Sequence, residues 1–151
     1  FDRMGLAVLA MDGSETTLLF SKCIKTSSKD KHDQRLFAIG SEVSEVIEEW
    51  EPENLAIETL FFNKNITSAL GVAEARGVAI YEAKRAGLEV YEYSPQAIKI
   101  AVTGYGKADK TQMADMVTRL VKMPMSKDKR LDDEVDAVAV GITHLASIKG
   151  I

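Results

Sequence analysis

The sequence predicts a mixed α/β sheet with helices on both faces. Two observations indicate this fold class: a hairpin of two strands opens the chain, and helical and strand-like segments then alternate. The length of 151 residues suits one compact domain with a sizeable core and is short for two. We therefore expect a single domain over residues 1–151.

Composition excludes several classes of protein. Hydrophobic residues make up 46% of the chain and charged residues 28%, which argues against a disordered or collagenous chain. No apolar run approaches the roughly 18 residues that cross a bilayer. The single cysteine, Cys23, excludes an internal disulfide and a zinc site built from several thiolates. With no pattern of an export signal, we expect a cytoplasmic protein without a membrane partner.

The first half of the chain is predicted to contain a hairpin, a helix and a buried strand. Residues 6–11 and 16–26 have strand-like composition and are joined at Asp12-Gly13, a dipeptide suited to a tight turn. Apolar residues at helical spacing predict an amphipathic helix over 30–50, stopped near Pro52. The short apolar run at 54–59 predicts a buried strand that carries Glu58.

The second half is predicted to be mainly helical. An alanine-rich helix over 67–86, capped by Gly87, precedes a strand over 88–93. Ser94-Pro95 is a favourable start for a helix over 96–102, and a glycine-containing basic loop follows it. Further helices are predicted over 110–123, ended by Pro124, and over 132–148.

Charge is segregated along the chain, although the net charge of −4 disfavours a nucleic-acid partner at first sight. Residues 41–54 carry six glutamates and no base, whereas residues 96–130 carry eight bases against three acids, a local net charge of +5. The positive segment is suited to a polyanion. Two ordinary solvated faces are the alternative explanation.

Four carboxylates lie beside predicted buried elements. Asp2 precedes the first strand, Glu58 ends a buried strand, and Asp133 and Asp136 lie three residues apart at the start of the last helix, hence on one helical face. Carboxylate ligands favour Mg²⁺ or Mn²⁺, and two such cations could activate water and stabilise the leaving oxygen of a phosphodiester. The helix dipole, solvent exposure and a disordered terminus are the alternative explanations for these positions.

Six sequence motifs extend along nearly the whole chain. They are AIETLFFNKN at 56–65, SAL at 68–70, ARGVA at 75–79, GYGKADKTQ at 104–112, DEVDA at 133–137 and AVGITH at 139–144. In these motifs and in their order, the sequence resembles the RuvC family of Holliday-junction resolvases.

The resemblance implies a ribonuclease-H-like fold with a mixed five-stranded sheet, a homodimer, and Mg²⁺-dependent nicking of two opposed strands in a four-way DNA junction. Asp2, Glu58, Asp133 and Asp136 match the family's catalytic carboxylates, which bind two Mg²⁺ ions per active site, with Mn²⁺ able to substitute. One departure concerns Asp2, because the family has Pro-Gly after this aspartate and this chain has Arg3-Met4. Either a loop is deleted there, or the sequence in hand lacks residues near its start.

The resemblance also implies a set of DNA-binding residues. Lysines of the positive segment are expected to contact the scissile strand and its phosphates, and an aromatic residue of the loop after Glu58 is expected to wedge into the junction centre. Solubility lysines and core packing of the aromatics are the alternatives. The expected DNA-binding residues are Phe61, Phe62, Lys64, Arg76, Lys99, Lys107 and Lys110.

Other residues are given structural interpretations. His144 lies about 16 Å along the helix from Asp133, too far to ligate the same metals. His32 belongs to a charged loop, and Cys23 is interpreted as a small buried hydrophobe. A stripe of small residues (Gly71, Ala75 and Ala79) fits either the family's dimer contact or packing within the domain.

The leading functional hypothesis is a junction-selective endonuclease of DNA recombination and repair, with a branch-migration motor complex of the RuvA/RuvB type as partner. A catalytically idle junction-binding protein is one alternative. A related ribonuclease-H-like nuclease that acts on RNA is another.

Overall fold

The computed structural model describes residues 3–59, 66–123 and 132–149. These residues form two compact units. Among the described residues, unit 1 comprises 3–4, 24–59 and 66–92, and unit 2 comprises 5–23, 93–123 and 132–149, so the chain passes from one unit to the other within its first hairpin. No helix in the described ranges has the length and apolarity that a membrane crossing requires.

Unit 1 is built mainly from two helices and two strands. Helix α1 spans His32–Trp50 and α2 spans Ile66–Arg85. Strands β3 (Asn54–Glu58) and β4 (Glu89–Tyr93) form a two-stranded sheet. The apolar face of α1 is buried as predicted, with Ile39 and Val43 in the core, and α2 packs against α1 and β3. The sequence prediction for these four elements is confirmed to within two residues at each end.

Unit 2 contains most of the first hairpin and three helices. The hairpin consists of β1 (Arg3–Asp12) and β2 (Glu15–Lys25), joined by a turn in which Gly13 has a φ of +62°. Helices α3 (Pro95–Thr103), α4 (Lys110–Leu120) and α5 (Asp132–Lys149) pack against one another. Its core includes Leu18, Val117 and Val138, all less than 2% exposed.

Predicted helix termini are formed by the expected local chemistry. The Ser94 side chain accepts a hydrogen bond from the Ala97 amide, and Pro95 occupies the first turn of α3. After α2, Gly87 has a φ of +86°, and the Gly87 and Leu88 amides donate to the carbonyls of Lys84 and Ala83. These contacts fix the directions in which the chain leaves α2 and enters α3.

Two sequence predictions about the fold are wrong. The described residues form four strands in two two-stranded sheets, not one mixed five-stranded sheet. The four strands are those for which the sequence has suitable apolar segments, and the fifth was expected from the resemblance alone.

The second error concerns the end of α4. This helix ends at Leu120 rather than at residue 123 because Val121 is extended and Lys122 forms a parallel bridge with Thr17 of β2. The Lys122 amide donates to the Thr16 carbonyl, and the Lys122 carbonyl accepts from the Leu18 amide. The edge of β2 thus ends the helix before Pro124 is reached.

Candidate active site

Glu58 is the last residue of β3 in unit 1, and its side chain is exposed. The strand before it is half-buried, so the backbone is fixed by sheet pairing while the carboxylate reaches solvent. Arg76 of α2 approaches the same strand end: its Nε donates to the Glu58 carbonyl oxygen at 3.1 Å, and its Nη2 donates to Glu92 Oε2 at 3.3 Å. Arg76 therefore links the end of β3 to β4 through the Glu58 backbone carbonyl and the Glu92 carboxylate.

Asp133 and Asp136 lie one turn apart at the start of α5 in unit 2. This turn contacts β1 through backbone atoms: a Cβ built on Gly5 would lie 1.9 Å from the Asp133 carbonyl oxygen and 3.1 Å from the Glu134 amide nitrogen. Ser21 of β2 adds a hydrogen bond from its Oγ to Glu134 Oε1 at 2.8 Å. Both strands of the hairpin thus hold the first turn of α5 in place.

Burial and neighbouring charges affect the ionisation of Asp136 at the start of α5. Loss of hydration raises the pKa of Asp136 above its ordinary value, Lys110 opposes this rise, and the nearby carboxylates of Asp133 and Asp132 add to it. A site that crowds negative charge favours a bound cation. The Oδ2 atom of Asp133 is buried, and the donors are all carboxylate oxygens, which are the ligands that Mg²⁺ prefers. These residues therefore fit a hard divalent cation.

The structure brings together two of the four predicted metal ligands, describes a third in the other unit, and does not describe the fourth. Asp133 and Asp136 are close enough to influence each other, Glu58 is described within unit 1, and Asp2 lies outside the described residues. In the described part of the chain, no group of three or more His, Cys, Asp and Glu side chains is arranged to hold a metal ion. A shared site of all four carboxylates therefore stays a prediction.

The basic residues of unit 2 fall into two groups. Arg119 pairs with Asp115 at 3.3 Å, and Lys122 pairs with Glu15 at 3.6 Å. Within residues 3–59, 66–123 and 132–149, by contrast, no carboxylate lies within 4.0 Å of the ammonium groups of the lysines predicted to bind DNA. These three lysines are Lys99, Lys107 and Lys110.

The loop between α3 and α4 carries Lys107 and is ordered by local hydrogen bonds. The Thr103 hydroxyl accepts from the Tyr105 amide at 3.0 Å, and Gly104 ends α3 in a left-handed conformation with a φ of +79°. Asp109 caps α4 through a reciprocal pair of hydrogen bonds with Gln112. Lys110 is the first residue of α4, and it lies close enough to Asp136 for its positive charge to lower the pKa of that carboxylate.

The remaining predicted DNA-binding residues are partly outside the described residues. Phe61, Phe62 and Lys64 fall there, so their predicted contacts stay predictions. Arg76 is described, and its guanidinium is engaged with Glu58 and Glu92 as given above.

Sequence analysis gave structural interpretations to His144, Cys23 and the small-residue stripe, which are buried or half-buried in the structure. His144 is 5% exposed, and its Nδ1 lies 2.6 Å from the Tyr93 hydroxyl, with which it forms a hydrogen bond. Cys23 is half-buried on β2. In the small-residue stripe, Ala75 and Ala79 are buried inside unit 1, which favours packing within the domain as their explanation.

Sequence analysis missed two residues that contact the candidate site, Gly5 and Ser21, and it named Arg76 only as an expected DNA-binding residue. A glycine within a strand signals close approach of another backbone, so Gly5 could have been noticed although its partner could not. Ser21 and Arg76 have no comparable local signal, because each bonds to a residue far away in the sequence, namely Glu134 and Glu58.

Comparisons with known proteins find the same family at the levels of sequence and structure. Residues 1–144 match the family described as Crossover junction endodeoxyribonuclease RuvC. A protein with that name from Finegoldia magna is 40% identical over 146 residues, which cover 97% of this chain and 88% of that protein. The protein of the same name from Alkaliphilus metalliredigens is 40% identical over 144 residues, which cover 95% of this chain and 87% of that protein.

Two solved structures are also similar to this chain. The Thermus thermophilus RuvC structure has a TM-score of 0.88 and 31% identity, and the match covers 99% of this chain and 91% of that one. The T. thermophilus RuvC in complex with Holliday junction substrate has the same TM-score and identity, and the match covers 97% of this chain and 88% of that one.

Proposed function

This chain belongs to the crossover junction endodeoxyribonuclease RuvC family, and we propose that it resolves four-way DNA junctions by paired symmetric nicks in recombination and repair. The start of α5 is the main support for this proposal. Asp133 and Asp136 lie one turn apart there, and the charge of Lys110 acts on Asp136. That arrangement combines acidic metal ligands with a base suited to a phosphate.

We propose that Asp2, Glu58, Asp133 and Asp136 together hold two Mg²⁺ ions, with Mn²⁺ able to substitute. Such ions supply an activated water and stabilisation of the leaving oxygen of the phosphodiester. The protein's own contribution is positional: the hairpin fixes the first turn of α5, and Arg76 fixes the end of β3.

Binding of the junction is assigned to the exposed basic surface of unit 2. Lys107 and Lys110 are exposed and Lys99 is half-buried, and no carboxylate of the described residues lies within 4.0 Å of their ammonium groups. Phosphate contacts by such lysines give an affinity that falls with salt concentration. We further propose that Phe61, Phe62 and Lys64 contact the junction centre.

We propose that the protein acts as a single nuclease domain per chain and as a homodimer in the cytoplasm, with a branch-migration motor of the RuvA/RuvB type. Two copies match the two opposed strands of a junction. Large exposed apolar residues on both helices of unit 1 are consistent with a contact between copies. They are Phe37 (77% exposed), Leu70 (54%) and Tyr81 (64%).

Cleavage of an end-labelled synthetic four-way junction tests the proposal, with linear duplex and RNA:DNA hybrid as controls. Reactions contain Mg²⁺, Mn²⁺ or excess chelator. Symmetric nicks that require both the cation and the junction support the proposal. Tight binding of the junction without nicks identifies the idle junction-binding protein instead, and preference for the hybrid identifies a nuclease of RNA.

Asp133→Asn and the matched control Asp132→Asn refine this test, because they remove the same charge one residue apart on α5. We expect Asp133→Asn to abolish cleavage while junction binding is retained or strengthened, since less negative charge faces the phosphates. Asp132→Asn is expected to cleave at nearly the unmodified rate. Loss of binding in Asp133→Asn would make this residue structural.

A further inference from the structure

Arg76 joins one helix to the ends of two paired strands in unit 1. From the middle of α2, its Nε donates to the Glu58 carbonyl oxygen at 3.1 Å, and its Nη2 lies 3.3 Å from Glu92 Oε2. Its side chain is only 19% exposed, whereas that of Glu92 is 50% exposed. The guanidinium therefore lies against the protein and has two specific partners.

These contacts require the geometry of an arginine. The guanidinium is planar and presents several N–H donors in a fixed fork, so it can bond to a backbone carbonyl and a carboxylate at once. A lysine has the same charge but a single flexible ammonium group, which does not reproduce this fork. Glu58 and Glu92 belong to neighbouring strands, so one side chain ties together the ends of β3 and β4.

We propose that Arg76 is a positioning residue, which fixes the backbone at Glu58 and so sets the direction of the Glu58 carboxylate, and that it is not a contact to DNA. This inference rests on the proposed function, because it gives Glu58 a place among the metal-binding carboxylates. The Glu58 side chain is exposed at the end of β3, and its carboxylate is carried by the backbone to which Arg76 bonds.

Variants of two arginines on the same helix separate positioning from charge. Arg76→Ala removes both hydrogen bonds, and Arg76→Lys keeps the charge without the fork. Arg85→Ala is the matched control, because Arg85 lies on α2 and pairs with Glu82 of the same helix at 2.7 Å.

The first measurement is hydrogen exchange of peptides that cover β3, which does not depend on cleavage. Faster exchange in Arg76→Ala and Arg76→Lys than in Arg85→Ala supports the inference, and equal exchange overturns it. Thermal unfolding monitors the fold. Where Arg76→Ala fails to fold, the decision passes to Arg76→Lys, for which faster exchange than in Arg85→Ala supports the inference and equal exchange overturns it.

The second measurement is made on four-way junctions. We expect Arg76→Ala and Arg76→Lys to slow single-turnover cleavage by about tenfold or more and to raise the half-saturating Mg²⁺ concentration. Junction affinity in chelator is expected to stay within about twofold, because a positioning residue does not touch the phosphates.

Two further outcomes are decisive. Weaker junction binding in Arg76→Ala that Arg76→Lys restores would identify a phosphate contact and overturn the inference. Failure of the unmodified protein to cleave junctions would contradict the proposed function, whereas equal cleavage by the unmodified protein and by both Arg76 variants would contradict this inference alone.

Discussion

The two units position their acidic residues in different ways. In unit 1, a long side chain reaches the end of a strand, where Arg76 bonds to the Glu58 carbonyl. In unit 2, two backbones meet directly, because Gly5 of β1 lies against the Asp133 carbonyl at the start of α5. A side-chain contact can adjust to a substitution by rotation, whereas a backbone contact cannot, so the units should differ in their tolerance of added atoms.

The largest expected effect is that of Gly5→Ala. The new Cβ would lie 1.9 Å from the Asp133 carbonyl oxygen and 2.4 Å from its carbon, and neither atom can rotate away. We expect a loss of roughly 3 kcal/mol or more in the free energy of unfolding and a lower melting temperature. Thermal unfolding followed by circular dichroism checks this. A variant as stable as the unmodified protein would show that β1 and α5 separate easily.

The second prediction compares the two histidines. His144 in unit 2 is buried, and His32 in unit 1 is exposed. Burial lowers the pKa of His144 below its ordinary value. Below about pH 6.5 the unfolded chain therefore binds a proton that the folded chain excludes, so the stability present above this pH is lost as the pH falls.

Melting temperatures between pH 8 and pH 5 test this second prediction. We expect His144→Gln to cost about 1–3 kcal/mol at high pH, because the bond to Tyr93 is disturbed, and to flatten the dependence on pH. The control is His32→Gln, since His32 is exposed beside Glu74 and its replacement leaves the buried pair intact. Equal slopes for His144→Gln and the unmodified protein would contradict the prediction.

A smaller effect is expected for Ser21→Ala, which tests the side-chain part of the unit 2 contact. The Ser21 hydroxyl donates to Glu134 Oε1 at 2.8 Å in a partly buried setting. We expect a loss of about 1 kcal/mol. A double-mutant cycle with Glu134→Gln isolates the coupling between the two residues, and a coupling near zero would show that the backbone contact at Gly5 holds the helix start unaided.

The smallest effect is expected for Gly40→Ala in unit 1, the counterpart of Gly5→Ala. Its new Cβ would meet Val78 Cγ1 at 3.0 Å, a side-chain atom that can shift by a few tenths of an ångström. Alanine also favours a helix interior over glycine by about 1 kcal/mol. The two terms nearly cancel, so we expect a change within about 1 kcal/mol. A loss as large as that of Gly5→Ala would remove the distinction between the units.

Local sequence patterns predicted most helices and strands. Contacts between residues distant in the sequence account for the places where the structure differs from the prediction. Asp12-Gly13, Ser94-Pro95 and Gly87 act within a few residues, so the turn and helix ends near them could be predicted from the sequence. The end of α4 could not, because Lys122 pairs with Thr17, more than one hundred positions earlier.

The candidate site shows the same division between local and distant signals. The spacing of Asp133 and Asp136 predicts one helical face, and both residues lie in the first turns of α5 as expected. The sequence does not indicate which residues restrain them. Gly5 and Ser21 are separated from α5 by most of the chain, and only folding brings them into contact with it.

The bridge between Lys122 and β2 has a practical consequence for protein engineering. Thr17 anchors the chain at Lys122, and Ser21 anchors it again at Glu134, so both attachment points lie on one strand, about 13 Å apart along it at 3.3 Å per residue. A single strand thus sets the spacing of the two attachment points. A change in the length of β2 between Thr17 and Ser21 would therefore displace the Lys122 bridge relative to the start of α5.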